Sequence, residues 1–379
     1  MKLTVLQENL KNSVNLTSHF TSPKAQLPIL GNILLKAGKT KLTLSATNLE
    51  TSIETSITAK IEEEGEIAIN GKTLNDVISN LSSGSIEIES AQEQIKITSG
   101  KFKSNLLGSN TSDFPTLPTS VGKKTFSLKS EEFINSLSKV LFAVSQDETR
   151  PILTGVLFQF KDKNLHLVAT DGFRLSEVKL KGEVNVPDLK IIIPKAVLYE
   201  LTKINGGESI DVSFDKESNQ IIFTIGDTTL SSRIIEGEFP DYEKIIPTSS
   251  IAEINVDKAE LEKSIKLASV FARDSGKIIK LRFSSAIKNN SSSDETCKLT
   301  ITAESSASGN QEMELEVRIE EPIDPEINIM FNYSFIEDVL KNITDDEVKI
   351  VIAPDNKASK FIDPKSSNFL HIIMPIKTN

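Results

Sequence analysis

The sequence repeats itself, and this repetition constrains the fold more than any other feature. Pro28-Ile29-Leu30 recurs as Pro151-Ile152-Leu153, and Ala46-Thr47-Asn48 recurs as Ala169-Thr170-Asp171. Both pairs are 123 residues apart (151 − 28 and 169 − 46). Two different landmarks with one spacing indicate a duplicated domain, because chance matches do not keep a common offset.

A third copy is present in looser form. Leu299–Ala303 matches the strand-like Leu42–Ala46 and Leu165–Ala169. Between the first two copies, Phe114-Pro115 is also answered by Phe239-Pro240, 125 residues later (239 − 114). One third of the 379 residues is about 126, close to the commonest domain size. We predict three similar domains over residues 1–120, 124–248 and 249–379, with boundaries in the Pro-, Ser- and Thr-bearing stretches 119–123 and 247–250.

Each copy is predicted to open with an amphipathic helix. The apolar positions that indicate it are Phe133, Ile134, Leu137, Val140, Leu141 and Val144 in the second copy, Leu261, Ile265 and Ala268 in the third, and Leu6, Leu10 and Val14 in the first. Ser130 is the expected N-cap of the second, and Asp257 with Glu260 forms a capping-box-like pair in the third.

A second, shorter helix is predicted near the middle of every copy. Its apolar positions are Leu74, Val77, Ile78 and Leu81, then Val197, Leu198, Leu201 and Ile204, then Phe335, Ile336, Val339, Leu340 and Ile343. Between the helices, Ile86–Glu89, Ile210–Phe214 and Met313–Ile319 alternate apolar and polar residues, as half-buried strands do. We predict α+β domains, with two helices on one side of antiparallel sheets.

Composition excludes several classes of protein. Forty-three Lys and Arg against 53 Asp and Glu give a formal charge of −10. The chain therefore cannot coat nucleic acid through overall electrostatic attraction. The single cysteine, Cys297, allows no intrachain disulfide. Met1–Asn9 lacks an export signal, and no apolar run approaches the roughly 18 residues of a membrane span. We expect a soluble cytoplasmic protein.

Two Gly-Lys-Thr triplets resemble the end of a phosphate-binding loop. The glycine that such a loop requires five residues earlier is replaced by Ile33 before Gly38-Lys39-Thr40 and by Glu66 before Gly71-Lys72-Thr73. Neither triplet therefore predicts a nucleotide site.

The other reactive side chains are scattered. His19, His166 and His371 lack the spacing of metal ligands or of a catalytic triad, and we interpret each as a surface or partly buried histidine. Cys297 has no histidine near it in sequence and is interpreted as an inert thiol. We predict no metal and no cofactor.

The densest polar cluster is Thr170–Leu175, where a strand ends in a tight turn at Gly172. One interpretation makes Asp171 a catalytic base and Arg174 an anion clamp, as in a hydrolase. The other has Asp171 capping the turn, which Asn48 in the first copy favours, and leaves Arg174 free for recognition.

Several segments in fixed order resemble one protein family along the whole chain. They are Leu27–Asn32, Glu148–Val156, Thr170–Leu175, Phe239–Tyr242 and Met374–Ile376. Together with the triplication they resemble the bacterial DNA polymerase III beta subunit, the sliding clamp. The resemblance implies a non-catalytic homodimeric ring of six domains, joined head to tail around duplex DNA. It also implies an ATP-dependent clamp loader and a processive replicative polymerase as partners.

The resemblance further implies a groove that binds peptides of the polymerase alpha subunit, the clamp loader delta subunit and other clamp-binding proteins. The matching residues are Leu153, Thr170, Gly172, Phe173, Arg174, Leu175, Pro240, Lys244, Ile245, Asn332, Phe335, Met374, Pro375, Ile376 and Lys377. Phe173 and Lys377 depart from the His and Arg frequent in the family, and Thr378-Asn379 is an added tail.

The resemblance also implies cationic side chains that face DNA and a joint between chains. The cationic residues are Lys11, Lys24, Lys72, Lys139, Arg150, Lys195, Lys203, Lys258, Lys266, Arg273 and Lys341. On the third opening helix, Lys258, Glu262, Lys266, Ser269 and Arg273 are expected to form one polar stripe.

The joint residues are Ser104, Leu106, Val270 and Phe271, with Phe271 as the expected apolar anchor. A monomeric scaffold that docks peptides in the same groove is the remaining alternative.

Overall fold

The fold is taken from a computed structural model that describes residues 1–118, 124–161, 163–181, 190–204, 206–215, 218–284, 295–321, 323 and 325–377. The predicted boundary at 119–123 and the tail at 378–379 lie outside these residues. The order of elements repeats three times. The first repeat comprises β1 (Lys2–Leu6), α1 (Gln7–Ser18), a 3-10 turn (Pro28–Gly31), β2 (Asn32–Ala37), β3 (Lys41–Thr47), β4 (Thr51–Thr58), β5 (Lys60–Glu63), β6 (Gly65–Asn70), α2 (Gly71–Ser79), β7 (Ser85–Ala91), β8 (Gln94–Ser99) and β9 (Phe102–Ser109).

The other two repeats follow the same plan. The second comprises β10 (Lys124–Lys129), α3 (Ser130–Leu141), a 3-10 turn (Pro151–Leu153), β11 (Gly155–Lys161), β12 (Asn164–Thr170), β13 (Arg174–Lys181), β14 (Lys190–Pro194), α4 (Lys195–Leu201), β15 (Ser209–Asp215), β16 (Gln220–Ile225), β17 (Thr228–Arg233) and a 3-10 turn (Tyr242–Ile245). The third comprises β18 (Ala252–Asp257), α5 (Lys258–Ala272), β19 (Ile278–Phe283), β20 (Glu295–Ser305), β21 (Gly309–Ile319), β22 (Ile327–Asn332), α6 (Tyr333–Leu340), β23 (Glu347–Ile352), β24 (Ser359–Ile362) and β25 (Phe369–Ile373).

The described residues contain two α-helices per repeat, which confirms the prediction. Leu10 and Val14 in α1, and Leu261 and Ile265 in α5, are fully buried, as their spacing indicates. Leu6 was wrongly placed on this face, because it ends β1 and is 57% exposed.

The predicted helix caps fared differently. Asp257 caps α5 as expected, since its Oδ1 accepts from the Glu260 N–H at 2.8 Å. Ser130 is instead the first residue of α3, and its N–H donates to the Glu208 carbonyl at 3.1 Å. Its buried hydroxyl has no hydrogen-bond partner within the described chain, so its assignment as a side-chain cap was wrong.

The predicted helices also end earlier than their apolar patterns. Leu81 lies beyond α2 and Val144 lies beyond α3, and Val144 is still buried. Burial in the loop that follows a helix is sufficient to continue a periodic pattern past the last helical residue.

All pairings between the described strands are antiparallel, as predicted, and they form one 13-stranded and one 12-stranded hydrogen-bonded sheet. The chain divides into two compact units, Met1–Ile134 with Ile193–Ile234, and Asn135–Ile192 with Ile235–Asn379. This division passes through the second repeat, whose strands contribute to both sheets.

The sheets continue from one repeat into the next at two places, which we call seams. In the first seam β17 pairs with β4, from Thr51 opposite Ser232 to Thr55 opposite Thr228. In the second seam β25 pairs with β13, from Arg174 opposite Ile373 through Ser176 opposite His371. Thr51 and Arg174 are equivalent in the repeat, so the two seams have the same register. None of the α-helices in the described segments is long and apolar enough to cross a membrane.

Candidate functional site

The turn between β12 and β13 is built by hydrogen bonds from two side chains. Asp171 Oδ1 accepts from the N–H groups of Phe173 (2.9 Å) and Arg174 (3.0 Å). The Thr170 hydroxyl donates to the Arg174 carbonyl at 2.6 Å and accepts from the Gly172 N–H at 3.0 Å. Gly172 has a φ of +90°, a conformation that a side chain disfavours. Asp171 is therefore a capping residue of an Asx turn.

Each nitrogen of the Arg174 guanidinium donates a hydrogen bond within the chain, so the group is not free as we expected. Nε donates to Asp171 Oδ2 at 3.0 Å, one terminal nitrogen to Asp338 Oδ2 at 2.7 Å, and the other to the Phe142 carbonyl at 2.7 Å. The group also lies 4.5 Å from the centroid of the Phe335 ring. These contacts tie the turn to α6, and they leave Asp171 unsuited to act as a base, since both its oxygens already accept hydrogen bonds.

The C-terminal segment crosses this turn. The Met374 N–H donates to the Phe173 carbonyl at 2.8 Å, and the Ile376 N–H donates to the Met330 carbonyl at 2.8 Å. Phe173 is 64% exposed and Met374 is 37% exposed. The aromatic side chain of Phe173 and the flexible side chain of Met374 thus lie next to each other at the surface.

Buried residues support these exposed ones. Leu153 is 5% exposed and Leu175 is fully buried, so among the predicted groove residues these two belong to the core. Asn332 caps α6, where its Oδ1 accepts from the Ser334 N–H at 3.0 Å. The structure therefore brings Thr170–Leu175, Asn332, Phe335 and Met374–Ile376 together through backbone and side-chain contacts.

The 3-10 turn Tyr242–Ile245 contains two further predicted groove residues, Lys244 and Ile245, and Ile245 is 47% exposed. Tyr242 packs in the same apolar cluster as Leu175, and its hydroxyl donates to Glu177 Oε1 at 3.2 Å. Lys244 pairs with Asp241 at 2.8 Å, and both side chains are exposed. The contacts of the described residues do not join Pro240, Lys244, Ile245 or Lys377 directly to the Asx turn.

The buried carboxylate of Glu177 anchors this 3-10 turn through the Tyr242 hydroxyl. Glu177 accepts from the His166 ring Nδ1 position at 2.8 Å, and both side chains are buried. Burial alone would raise the pKa of the Glu177 carboxyl, but the His166 and Tyr242 hydrogen bonds and the Lys179 charge hold that pKa below its usual range. Burial beside this carboxylate raises the pKa of the Tyr242 hydroxyl, so it stays protonated and donates.

The expectation that every histidine is at the surface or partly buried was wrong for two of them. His166 and His371 are buried, not superficial, and His371 shares a hydrogen bond of 2.6 Å with the Ser176 hydroxyl. Burial and the nearby Arg174 charge lower the pKa of His371 well below its usual range. Burial also raises the pKa of the Cys297 thiol to about 11, which keeps it unreactive. Within the described residues, His, Cys, Asp and Glu form no cluster that could hold a metal ion.

Sequence reasoning missed three residues of this site. Phe142, Asp338 and His371 contact Arg174 or its neighbours, but Asp338 lies 164 residues away in sequence. The sequence holds no local signal for such a partner. The only usable hint was that a half-buried arginine beside an aspartate requires a second acceptor.

The predicted DNA-facing cations differ in their exposure and in their contacts within the chain. Six are exposed and make no ion pair within the described chain: Lys11, Lys24, Lys72, Arg150, Lys266 and Arg273. Lys203 pairs with Glu200, Lys341 pairs with Asp338, and Lys195 is half-buried.

Lys139 and Lys258 have structural roles. Lys258 donates to the Ile343 carbonyl at 2.7 Å. Lys139 lies over the Phe369 ring at 5.2 Å, and burial lowers its pKa. Ser269, expected on the polar stripe of α5, is buried and donates to the Lys266 carbonyl.

The predicted joint residues lie on β9 and α5. Ser104, Leu106 and Phe271 are half-buried, whereas Val270 is 54% exposed. The structure adds two exposed apolar residues that the sequence reasoning missed, Leu107 (77%) and Leu267 (44%).

Three like α+β repeats whose antiparallel sheets run on from one repeat to the next define a three-domain clamp protein. Family models for the N-terminal, central and C-terminal domains of the DNA polymerase III beta subunit match residues 1–118, 127–241 and 243–377. The chain belongs to the DNA polymerase III beta subunit family and is a non-catalytic sliding clamp of DNA replication.

Individual relatives agree over the full length. The chain is 29% identical over 402 aligned residues to the beta sliding clamp of Synechocystis sp., covering 100% of this chain and 99% of the relative. The sliding clamp of Bacillus subtilis has a TM-score of 0.87 at 26% identity, and the beta subunit of Thermotoga maritima has a TM-score of 0.89 at 24% identity. Each comparison covers 100% of both chains.

Proposed function

We propose that two copies of this chain close head to tail into a ring of six domains that encircles duplex DNA in the cytoplasm. The ring tethers the replicative polymerase, and an ATP-dependent loader opens and closes it around DNA. The single observation that supports ring closure most strongly is the pair of equivalent seams, because among the described residues their pattern leaves most of one strand edge unpaired at each end of the repeat series.

The two unpaired edges belong to equivalent positions. The β8–β9 hairpin closes at the pair of Ser99 and Phe102, and the β16–β17 hairpin closes at the pair of Ile225 and Thr228. This match makes β9 the counterpart of β17. In the same way β21 is the counterpart of β4. Within the described residues, β9 pairs on its outer edge only at Gly108 and Ser109, and β21 only at Arg318 and Ile319. A third seam between β9 and β21 of another copy would use both edges.

The register of the two existing seams predicts the pairs of the third. It places Met313 opposite Phe102, Glu312 opposite Lys103, Gln311 opposite Ser104, and Asn310 opposite Asn105. These pairs are an apolar contact, an opposite-charge pair and two polar pairs, each favourable across an antiparallel ladder. The buried Gln311 Oε1 has no partner within the described chain, and a facing Ser104 hydroxyl would supply one.

The helix α5 packs on β21, as α1 packs on β4. Its exposed Leu267 and Val270, together with Phe271, would be covered by the same joint, as would Leu106, which shares a face of β9 with Ser104. Covering these side chains removes apolar surface from water, which supports a closed dimer over a monomeric scaffold.

A closed ring needs little affinity for DNA, because topology retains it. The net charge of −10 opposes tight binding, and the exposed Lys11, Lys24, Lys72 and Lys266 would supply weak local attraction to phosphates. Strong contacts would instead hinder sliding. The charge balance therefore supports topological, sequence-independent association.

The exposed Phe173, Ile245 and Met374, backed by the buried Leu153 and Leu175, would form the groove for partner peptides. Arg174 acts as a positioning residue, because its guanidinium locks the turn and leaves the neighbouring apolar side chains to make contacts. Peptides of the polymerase alpha subunit and the loader delta subunit, with short apolar side chains, fit such a surface.

The decisive experiment is retention on DNA. With a clamp loader and ATP, the protein should stay on nicked circular DNA through gel filtration and be lost when the circle is cut once, since only a topological link depends on closure. Equal retention on linear and circular DNA would contradict encirclement. A sedimentation mass of one chain at micromolar concentration would favour the scaffold instead.

A further inference from the structure

The third repeat carries a cavity of about 390 Å³ outside the groove. Isoleucines form much of its lining: Ile251, Ile323, Ile327, Ile329 and Ile352. Ile323 and Ile352 are buried, whereas Ile251 is 51% exposed. The cavity is thus a recess with an open mouth, lined by isoleucine side chains and by polar groups.

The cavity lies beside an open strand edge. β22 is the last strand of its sheet and pairs with β19 on one side. On the other side the Ile376 N–H reaches the Met330 carbonyl at 2.8 Å. Backbone groups alternate in direction along an antiparallel strand, so the N–H and carbonyl of Asn328 also point to the open side. Asn328 lines the cavity.

The same edge accepts backbone partners in the other repeats. Ala68 of β6 pairs with Ser109, and Ile192 of β14 bridges to Ile235. These positions match the Met330–Ile376 contact, so edge addition at this place is a property of the fold. In the third repeat no described residue pairs with this edge beyond Met330, where Asn328 adjoins the cavity.

The rim of the cavity is acidic. Glu326 and Asp355 are exposed, and the Asn328 side-chain amide donates to Glu326 Oε1 at 2.9 Å, which holds that carboxylate next to the open backbone position. Exposed carboxylates beside isoleucine side chains favour a ligand with an aliphatic side chain next to a basic one.

We propose that the Asn328 edge of β22 and this isoleucine-lined cavity bind an extended segment of a partner protein by strand addition. The segment hydrogen-bonds the Asn328 backbone, places an aliphatic side chain in the cavity and sets a Lys or Arg against Glu326 and Asp355. Main-chain bonds supply affinity and the cavity supplies selectivity. The proposal does not depend on the groove.

The test uses the full chain and the peptide acetyl-Lys-Ile-Lys-Ile-Lys-Ile-amide, followed by calorimetry. We expect saturable binding that Ile251→Asp and Glu326→Lys each weaken about ten-fold or more, because one removes the apolar lining and the other the anionic rim. Both positions are exposed, and unchanged thermal melting would show that both variants fold. The matched control Glu316→Lys makes the same charge change on exposed β21 and should leave binding unaltered.

Two further measurements address the strand edge. A peptide N-methylated at alternate residues keeps its side chains but loses its donors, and it should bind about ten-fold more weakly. The Asn328 amide should exchange more slowly with solvent in the complex. Equal binding of the methylated peptide, an equal effect of Glu316→Lys, or no saturable binding at millimolar peptide would overturn the proposal. So would self-association of the chain that Ile251→Asp abolishes, since a second copy would then be the occupant.

Discussion

The two seams share one backbone register, but where one seam has a polar pair of side chains the other has an apolar pair. Where the first seam pairs the hydroxyls of Ser52 and Ser231 at 2.5 Å, the second packs Leu175 against Ile372. Where the first packs Ile53 against Leu230, the second bonds Ser176 to His371.

The next position follows the same rule. Thr55 and Thr228 share a hydrogen bond of 2.8 Å in the first seam, whereas Val178 lies opposite Phe369 in the second. The repeat therefore determines how strands meet, and either apolar packing or a satisfied polar pair can fill the junction.

The difference also shows where function departs from the repeat. Both seams begin at an Asx turn, since Asn48 Oδ1 accepts from the N–H groups of Glu50 and Thr51 much as Asp171 does in the second repeat. At the last turn position the first repeat has Thr51 and the second has Arg174. The surface proposed to bind partners arises at this departure and at the preceding position, where Phe173 stands in place of Glu50.

The largest effect is expected from Arg174→Ala. It removes the guanidinium that bonds Asp171, Asp338 and the Phe142 carbonyl, so the free energy of unfolding should fall by about 3 kcal/mol. Urea unfolding measures it. Thr51→Ala, the equivalent change in the first seam, is the matched control and should cost less than about 1 kcal/mol. Similar losses in both variants would contradict a special role for Arg174.

The next effect is a pH dependence confined to the second seam. His371 is neutral in the folded protein, and an unfolded histidine binds a proton near pH 6.5. Below that pH the unfolded state binds the extra proton, so stability should fall by about 1.4 kcal/mol per pH unit until the lower folded-state pKa is reached.

Unfolding at pH 7.5 and 5.5 checks this. The double variant Ser176→Ala, His371→Leu places a leucine where the first seam has Leu230, and it should lose that part of the pH dependence. An unchanged pH profile would show that His371 does not differ in protonation between the two states.

The smallest effect concerns the turn backbone. Leu49 and Gly172 are equivalent, and both have positive φ, +75° and +90°. A Cβ on Gly172 meets open space apart from Arg150 at 3.8 Å, so Gly172→Ala should cost about 1 kcal/mol through φ alone. Leu49→Gly should instead be neutral or stabilise by about 0.5 kcal/mol. Thermal melting compares them, and a destabilised Leu49→Gly would mean that the exposed leucine packs usefully.

The sequence was sufficient for those parts of the fold that depend on local pattern. Periodicity located the helices, and alternation located strands such as β21. The common offset revealed the first two repeats, and the looser match at Leu299–Ala303 revealed the third. Helix ends were less accurate, because Leu6 continues an apolar rhythm while belonging to a strand.

Side-chain networks were beyond the sequence. The partners of Arg174 and the burial of His166 and His371 depend on which strands become neighbours, and no local signal carries that information. The exposed Leu107 and Leu267 were missed for a related reason, since apolar residues at strand and helix positions are ordinarily counted as core.

The central claim is a third seam between two copies, and cysteine cross-linking tests it most directly. Ser104 and Gln311 are predicted to lie directly opposite each other, and opposed residues of an antiparallel pair are close enough for a disulfide. The native Cys297 is buried and should not interfere. Oxidised Ser104→Cys, Gln311→Cys protein should run as a covalent dimer on a denaturing gel, whereas Ser104→Cys, Glu312→Cys, offset by one residue, should stay monomeric. Equal cross-linking of both variants, or none in either, would contradict the account.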